Sequence, residues 1–421
     1  MSMAYIIAVN PAILSNAGMP LGALVTATCI TAGLSSILMG FFANMPLSLA
    51  SGMVINAFFA FSVVKGMNIP WEVALAAVFV EGIIFIVLSV SKMRESIINA
   101  LPINLKYSIS VGIGYFITFI GFVNIGILIK NEATLVSLGN LMNLKVFLTF
   151  IGIILICIFE LKKIRGSILL SMCITTIIAW AYALLDKERA LELGFLLPDG
   201  FLRYESVSPI FNKMNFDYLF NEHIWTFVWI VFILLFNDLF DTVGTLIGVA
   251  TKGNMIDNTG KVRNATKVLL VDAIATTFGA VMGVSTVTTY IESSTGISEG
   301  GRTGLTAVVT GILFILSIFF SPLFIAVPSS ATSAALIYVG FLMCSGIRKI
   351  DFSNTKESFP SFLILFLIPL TYSISTGIGI GIIVYVFLNI FYSCFKGERI
   401  KISLVMLILS CIFILKLVFS H

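Results

Sequence analysis

The chain has 421 residues, 58% of them hydrophobic and 11% charged, with 37 phenylalanines, a formal charge of +4 and a mean hydropathy of +1.07. Soluble domains carry roughly 45–50% apolar and about 25% charged residues, so a water-soluble globular protein is excluded; the charge is also too small and too scattered for a nucleic-acid surface. What remains is a polytopic membrane protein. The six cysteines (Cys29, Cys157, Cys173, Cys344, Cys394 and Cys411) fall in apolar stretches without a CxxC pair or a Cys/His cluster. That pattern suggests neither a disulfide framework nor a zinc site, and the thiols are read as small buried hydrophobes.

A helix crosses a ~30 Å hydrocarbon core with about 20 mainly apolar residues. Runs of this kind, separated by polar or Gly/Pro breaks, predict fourteen spans: 3–14, 21–43, 46–64, 71–91, 105–128, 145–160, 166–185, 224–250, 267–283, 284–300, 303–327, 329–347, 359–373 and 374–395. A further apolar stretch, 402–419, follows them. The first span is short, because Asn10-Pro11 and the Gly18-Met19-Pro20 turn cut it well below the length of a full crossing. With no basic residue before Lys65 it lacks the positive flank of a signal peptide, and the expectation is that the chain starts inside its first helix.

Short loops rich in Lys and Arg stay in the cytoplasm. Loops after even-numbered spans hold seventeen of the 25 basic residues, among them Lys92, Lys162, Arg165, Arg348, Lys349 and Lys396. Loops after odd-numbered spans hold seven, four of them in the long loop 186–223 beside seven acids. This separation calls for an even number of spans and an amino terminus inside. The long loop divides the fourteen into seven and seven. Seven is odd, so the second half enters the membrane upside down, the inverted-repeat plan of many secondary transporters.

Two segments are wrong for an ordinary membrane helix. VSTVTTYIESSTGISEG, 284–300, opens on a β-branched and hydroxylic run from Val284 to Thr289 and carries Gly296 and Gly300; SLASGMVINAFFAF in the third span has Ser48, Ser51, Gly52 and Asn56. Extended backbone at membrane depth is tolerated only where protein buries it or where it lines a cavity. The two segments are the third elements of their halves, spans 3 and 10. Corresponding interruptions point to a midplane binding site at half-helix amino ends; packing faces of small residues would give a similar sequence.

An acid inside a span costs ~2.5–3.5 kcal/mol on insertion scales, and five stand well away from the span ends: Glu81, Asp238, Asp241, Asp272 and Glu292. In FNDLFDTVGTLIG, Asp238, Asp241, Thr242 and Thr245 recur at i, i+3, i+4 and i+7 and share one helix face, a polar stripe directed inward. Glu292 follows the β-branched run, where a half-helix begins and a carboxylate can accept ligand N–H groups. Asp272, with Thr276 and Gly279, is read as an interhelical hydrogen-bonding group. Glu81, beside Gly82, either couples scaffold elements or carries a proton. His223 and His421 fall outside the spans, so proton coupling is left to carboxylates.

The strings MAYIIAVNPAIL, ASGMVINAFFAF, FNDLFDTVGTLIGVA, STVTTYIESSTGISEGGRTGLTAVV and PLTYSISTGIGIGII resemble the purine permeases of the AzgA-like branch of the nucleobase:cation symporter-2 (nucleobase-ascorbate transporter) family, and the resemblance runs along nearly the whole chain. It implies a secondary transporter, not an enzyme, that imports adenine, guanine or hypoxanthine by proton symport without a cofactor. The implied fold is all-α and polytopic, a 14-span inverted 7+7 repeat with short strands in spans 3 and 10. A core domain would comprise residues 1–104 (spans 1–4) and 224–327 (spans 8–11). A gate domain would comprise 105–223 (spans 5–7 and the outer loop) and 328–421 (spans 12–14 and the last apolar stretch). Carried over residue by residue, the resemblance makes Glu292 the span-10 glutamate that hydrogen-bonds the base and Tyr290 the tyrosine beside it. Asp238 becomes the span-8 acid, with Asp241 the competing match, and Thr242 its polar partner. Asn56 matches the span-3 asparagine, and Phe58 an aromatic wall. Asp238, Asp241 and Glu292 are the candidates for proton coupling. The first span is shorter than in family members. The implied setting is the inner cell membrane with a cytoplasmic amino terminus; the implied partners are the purine, protons, the lipid bilayer and a second copy through the gate domain, with no nucleic acid.

The chemistry agrees independently of the family. A neutral purine presents N–H donors and ring acceptors on one flat edge, so its site needs carboxylate acceptors, backbone N–H donors and an apolar slot for the ring faces. Glu292 and Asp238 can accept, and the starts of half-helices 3 and 10 can donate. An anion transporter of the same fold, for sulfate or bicarbonate, would need a cation at those helix starts, and the nearest is Arg302. An intramembrane enzyme would need a nucleophile with its base or a metal cluster, and Ser285, Ser293 and Ser294 have no histidine partner within a span.

Overall fold

The computed structural model describes residues 3–90, 101–132, 134–252, 255, 262, 264–290, 292–298, 300–371, 373–396 and 402–419. Helices or helix fragments stand at every predicted span. Spans 1 and 2 are Ile6–Leu14 and Leu21–Leu38; span 3 is the strand β1, Leu49–Ser51, followed by the helix Met53–Ala57 and a π-helical stretch, Phe58–Gly66. Trp71–Val90, Ile103–Asn124, Leu144–Leu161 and Ser167–Leu185 are spans 4 to 7, with a hairpin of β2 (Leu128–Asn131) and β3 (Leu135–Leu138) between spans 5 and 6. Ile224–Lys252 and Ala265–Met282 are spans 8 and 9, and span 10 is β4, Val287–Thr289, followed by the helix Ser293–Ser298. Leu305–Ser317, Ser329–Cys344, Thr355–Leu370 and Ile374–Lys396 are spans 11 to 14, and a last helix covers Leu404–Phe419. Eight of the described helices are long and apolar enough to cross a bilayer, and the chain is a multi-pass membrane protein.

Where boundaries depart from the hydrophobic runs, the backbone explains the difference. Span 5 stops at Asn124 rather than continuing to 128, because the chain turns through Gly126, at φ 78°, into the β2–β3 hairpin. The run 303–327 is not one helix. It breaks after Ser317 and resumes as the short helix Ser321–Ile325, with Pro322 in its first turn, the place where a missing N–H costs least. Span 13 begins a turn earlier than its apolar run, since the Asn354 side chain accepts the Lys356 N–H at 3.2 Å and caps the helix. The cysteines also correct the sequence reading: Cys29 is buried, but Cys157, Cys173, Cys394 and Cys411 are exposed free thiols. A helix in lipid can turn a thiol outward into hydrocarbon without any loss of hydration, so an apolar neighbourhood in sequence does not imply an interior position.

The chain falls into two compact units, Met1–Ser91 with Gly121–Ile337, and Lys92–Ile120 with Tyr338–His421. In the first unit β1 and β4 pair antiparallel, Leu49 opposite Thr289, Ala50 opposite Thr288 and Ser51 opposite Val287. A two-stranded sheet has two open edges, which at membrane depth would leave backbone groups without water. Side chains from neighbouring helices close them. Ser36 of span 2 accepts the Leu49 N–H at 2.9 Å and lies 3.2 Å from the Leu49 carbonyl oxygen; Thr276 of span 9 donates to the Val287 carbonyl at 2.9 Å. Spans 2 and 9 are the same element of the two halves, so each repeat closes the edge of its own strand.

Two close helix crossings follow the same relation. Span 2 meets span 11 at Gly33 and Gly311, where a Cβ on Gly33 would stand 2.6 Å from Ile315 Cγ1 and one on Gly311 would stand 2.7 Å from Ile37 Cγ1. Span 9 meets span 4 at Gly82, where a Cβ would stand 2.8 Å from the Thr277 amide nitrogen. Without water to drive helices together, small residues that admit close backbone approach take over. Gly311→Leu is therefore expected to destabilise the protein by at least about 1–3 kcal/mol, read as a lower unfolding temperature in detergent. The change Val309→Leu, at a position 49% exposed on the same helix, should leave that temperature unaltered.

Candidate substrate site

The site is built around the β1–β4 crossing, and its hub is a single amide. Asn56, fully buried in the helix that follows β1, accepts from Ser51 Oγ at 2.8 Å and from Ser285 Oγ, and donates to Asn10 Oδ1. Asn10 in turn donates to Thr28 Oγ1 at 2.6 Å. One side chain thus ties spans 1, 3 and 10 together, and the chain of bonds continues into span 2.

The strand crossing is clamped from both ends. Tyr290 N–H donates to the Ser48 carbonyl at 3.1 Å, Ser48 N–H donates to Ser293 Oγ at 3.0 Å, and Gly52 N–H donates to the Thr286 carbonyl at 3.0 Å. The Tyr290 hydroxyl is spent on the Ser51 carbonyl, at 2.5 Å. Glu292, at the turn between β4 and the following helix, takes a 2.5 Å hydrogen bond on Oε1 from the hydroxyl of Tyr5 in span 1, while part of its surface stays open. The helices after the two strands begin here, and the first N–H groups of a helix have no partner within it.

The acids of span 8 divide. Asp238 is fully buried; Thr242 Oγ1 lies 3.1 Å from Asp238 Oδ1, 3.0 Å from Asp272 Oδ2 and 2.9 Å from Thr288 Oγ1. A hydroxyl donates one hydrogen, so Thr242 can serve only one of these two carboxyl groups. Contact with the other is a hydrogen bond only when that carboxyl carries a proton. Asp241 is half-buried, with Oδ2 3.6 Å from where a Gly52 Cβ would stand, at the head of the span 3 helix and within electrostatic reach of Glu292. Glu81 of span 4 accepts from Thr286 Oγ1 at 2.9 Å and holds the lead into β4 from the far side. Phe58 is enclosed at the start of the π-helical stretch.

The structure thus places Glu292, Asp241, Asn56 and Tyr290 around one crossing, and ties Asp238 to it through Thr242, which reaches Thr288 of β4. Sequence reasoning missed Tyr5 and Asn10 as parts of this constellation, whereas Ser51 and Ser285 stand in the two interrupted segments that it assigns to the site. The available signal is Asn10, a full amide in an apolar run that in the sequence reads only as a break with Pro11. Among the described residues no Lys, Arg or His is buried, and no group of His, Cys, Asp and Glu could hold a metal ion. Arg302 donates to the carbonyls of Ile297, at 2.5 Å, and Gly301, at 3.1 Å, at the carboxyl end of the short span 10 helix and not at its start.

A family model described as Permease family matches residues 1–380. A putative permease of Methanocaldococcus jannaschii is 42% identical over 421 residues, covering 100% of this chain and 92% of the relative. The adenine permease of Escherichia coli K12 is 39% identical over 420 residues, with 100% and 90% covered. A guanine/hypoxanthine permease of Bacillus subtilis is 40% identical over 388 residues, with 91% and 88% covered. Among solved structures, the transmembrane domain of a cyanobacterial bicarbonate transporter superposes with a TM-score of 0.64 at 13% identity, covering 90% of this chain and 95% of that one. At that identity the likeness is one of fold, the inverted repeat built around paired strands.

Proposed function

We propose, from the premise that this chain belongs to the permease family whose model spans residues 1–380, that it imports purine nucleobases by proton symport. Family membership makes it a transporter rather than an enzyme. The observation that carries the substrate reading is the pair of carboxyl groups, Glu292 and Asp241, that reach the strand crossing with surface still open, in a core where no buried cation stands among the described residues. Such a site accepts N–H groups and repels anions, which favours a purine edge over sulfate or bicarbonate. The relatives named adenine permease and guanine/hypoxanthine permease support the same class.

In this reading Glu292 takes the N–H edge of the base, and Asp241 is the second acceptor. Tyr290 lends its ring face, its hydroxyl being engaged. Asp238 keeps the coupling role: with Thr242 and Asp272 it forms a cluster whose contacts call for a carboxyl proton, and a proton taken up there from outside and released inside would drive uptake. Asn56, bonded by its neighbours through both its oxygen and its nitrogen, sets the geometry of the crossing. Alternating access follows from movement of a core of spans 1–4 and 8–11 against a gate of spans 5–7 and 12–14. In this reading the amino terminus lies on the cytoplasmic side of the inner membrane, as the distribution of basic loops favours, and two copies associate through the gate.

Initial uptake of radiolabelled adenine, guanine, hypoxanthine and uracil into cells lacking their own purine permeases tests this. Purine uptake should be faster at acid than at alkaline external pH and should vanish with a protonophore. Uptake indifferent to both would end the symport reading, and transport of bicarbonate or sulfate without purine would end the substrate reading. Tyr5→Phe removes the donor to Glu292 and keeps the ring. A hydrogen bond to a charged group contributes about 1.5–3 kcal/mol, so uptake should fall roughly 10- to 100-fold with an unaltered amount of protein in the membrane.

A further inference from the structure

Span 8 buries an amide that the fold itself does not use. Asn237 is 3% exposed, yet neither the oxygen nor the nitrogen of its side chain has a hydrogen-bond partner. The other buried amides among the described residues are all engaged: Asn10 donates to Thr28, Asn56 to Asn10 and Asn104 to Glu357. Burying a polar group without a partner is costly, and a fold that needed only bulk at this position would be better served by leucine.

The helix places this amide beside the substrate site. Asn237 stands four residues before Asp241 in the continuous helix Ile224–Lys252, so the two lie on one face with their Cβ atoms roughly 5–6 Å apart. Asp241 comes to the head of the span 3 helix at Gly52, and span 8 packs against β4 and against the helices that follow both strands. Asp238, next in sequence, is about 100° further round the helix and engages Thr242.

The chemistry of the site lacks what Asn237 offers. Glu292 and Asp241, when ionised, only accept hydrogen bonds. A purine carries acceptors as well, and its 6-position is an acceptor in hypoxanthine and guanine (oxo) but a donor in adenine (amino). Among the described residues no Lys, Arg or His is buried, so a side chain that donates at this depth is a neutral one. A carboxamide holds a donor and an acceptor side by side, and half a turn about its last bond exchanges them. We propose that Asn237 pairs with the 6-substituent of the bound purine, donating to a 6-oxo group or accepting from a 6-amino group, so that one site takes both kinds of base. The proposal rests on the purine reading and adds to it the residue that senses the 6-position.

The test is uptake of labelled adenine by the full chain, in cells lacking their own purine permeases, against unlabelled adenine, hypoxanthine and unsubstituted purine as competitors. In the parent, adenine and hypoxanthine should each compete at least about tenfold more strongly than unsubstituted purine, which has nothing at the 6-position for the amide to bond. In Asn237→Leu both should weaken to the level of unsubstituted purine, whose own competition stays as it was. The unfolding temperature of this variant in detergent should equal or exceed that of the parent, because leucine fills the space and leaves no polar group unpaired. A variant that keeps the parental ranking would overturn the proposal, as would a parent that does not favour 6-substituted bases. A lower unfolding temperature of Asn237→Leu would overturn it too, by making the amide a structural group. A parent that takes up no purine would end the purine reading and this inference with it.

Discussion

Glu292→Gln is expected to lower purine uptake by at least about 100-fold while the amount of protein in the membrane stays the same. Glutamine keeps the length of the side chain and one oxygen, so Tyr5 can still donate to it and the turn after β4 keeps its shape. What changes is the face presented to the substrate. One acceptor oxygen becomes an NH₂ donor, which meets the N–H edge of a purine donor to donor, and the charge that strengthens the remaining bond is gone. Hydrogen bonds to charged groups contribute about 1.5–3 kcal/mol each, and sites built around a buried polar match discriminate against a mismatch by several powers of ten. The measurement is initial uptake rate normalised to protein counted in the membrane, with unfolding temperature in detergent as a control. Parental uptake by this variant would remove Glu292 from the site, and a collapse in stability would show it to be structural instead.

The number and position of the spans were legible because a membrane crossing is written as the length of an apolar run, a one-dimensional signal. So was the strand in span 10, since Val284 to Thr289 is too β-branched and too hydroxylic for a lipid-facing helix. Neighbours across helices are not written in that way. Ser36 and Thr276 are ordinary small polar residues in apolar helices, and only the fold reveals that each closes a strand edge of its own repeat. Tyr5 sat in an apolar run with nothing to show that its hydroxyl ends on Glu292. Asp238 and Asp241 were placed on one helix face, which a separation of three residues permits, but that face is wide enough to serve two purposes. Asp238 turns to Thr242 beside Asp272, and Asp241 turns to Gly52. The hairpin at 128–138 was hidden because Leu, Ile and Val extend the apolar run of span 5 while the turn that ends the helix rests on one glycine.

Asn56→Ala is the second large loss to be expected, and it should differ in kind from the loss at Glu292. The change leaves Asn10, Ser51 and Ser285 each without the partner they have now, at a depth where water does not replace it. A buried polar group deprived of its partner costs about 1–3 kcal/mol, so three of them place several kcal/mol on the crossing of β1 and β4. The crossing fixes where Glu292 and Asp241 stand, so uptake should fall by roughly 100-fold or more together with a lower unfolding temperature, whereas Glu292→Gln should leave that temperature alone. Asn56→Asp separates the two functions of the amide. It keeps the oxygen that Ser51 and Ser285 bond, and the Asn10 amide can rotate to donate where it now accepts, so despite the cost of one more acid inside a span its unfolding temperature should fall less than that of Asn56→Ala and uptake should be only partly lost. Parental uptake by Asn56→Ala would mean that the hub does not govern the site. Full stability with abolished uptake in that variant would mean that Asn56 touches the base itself.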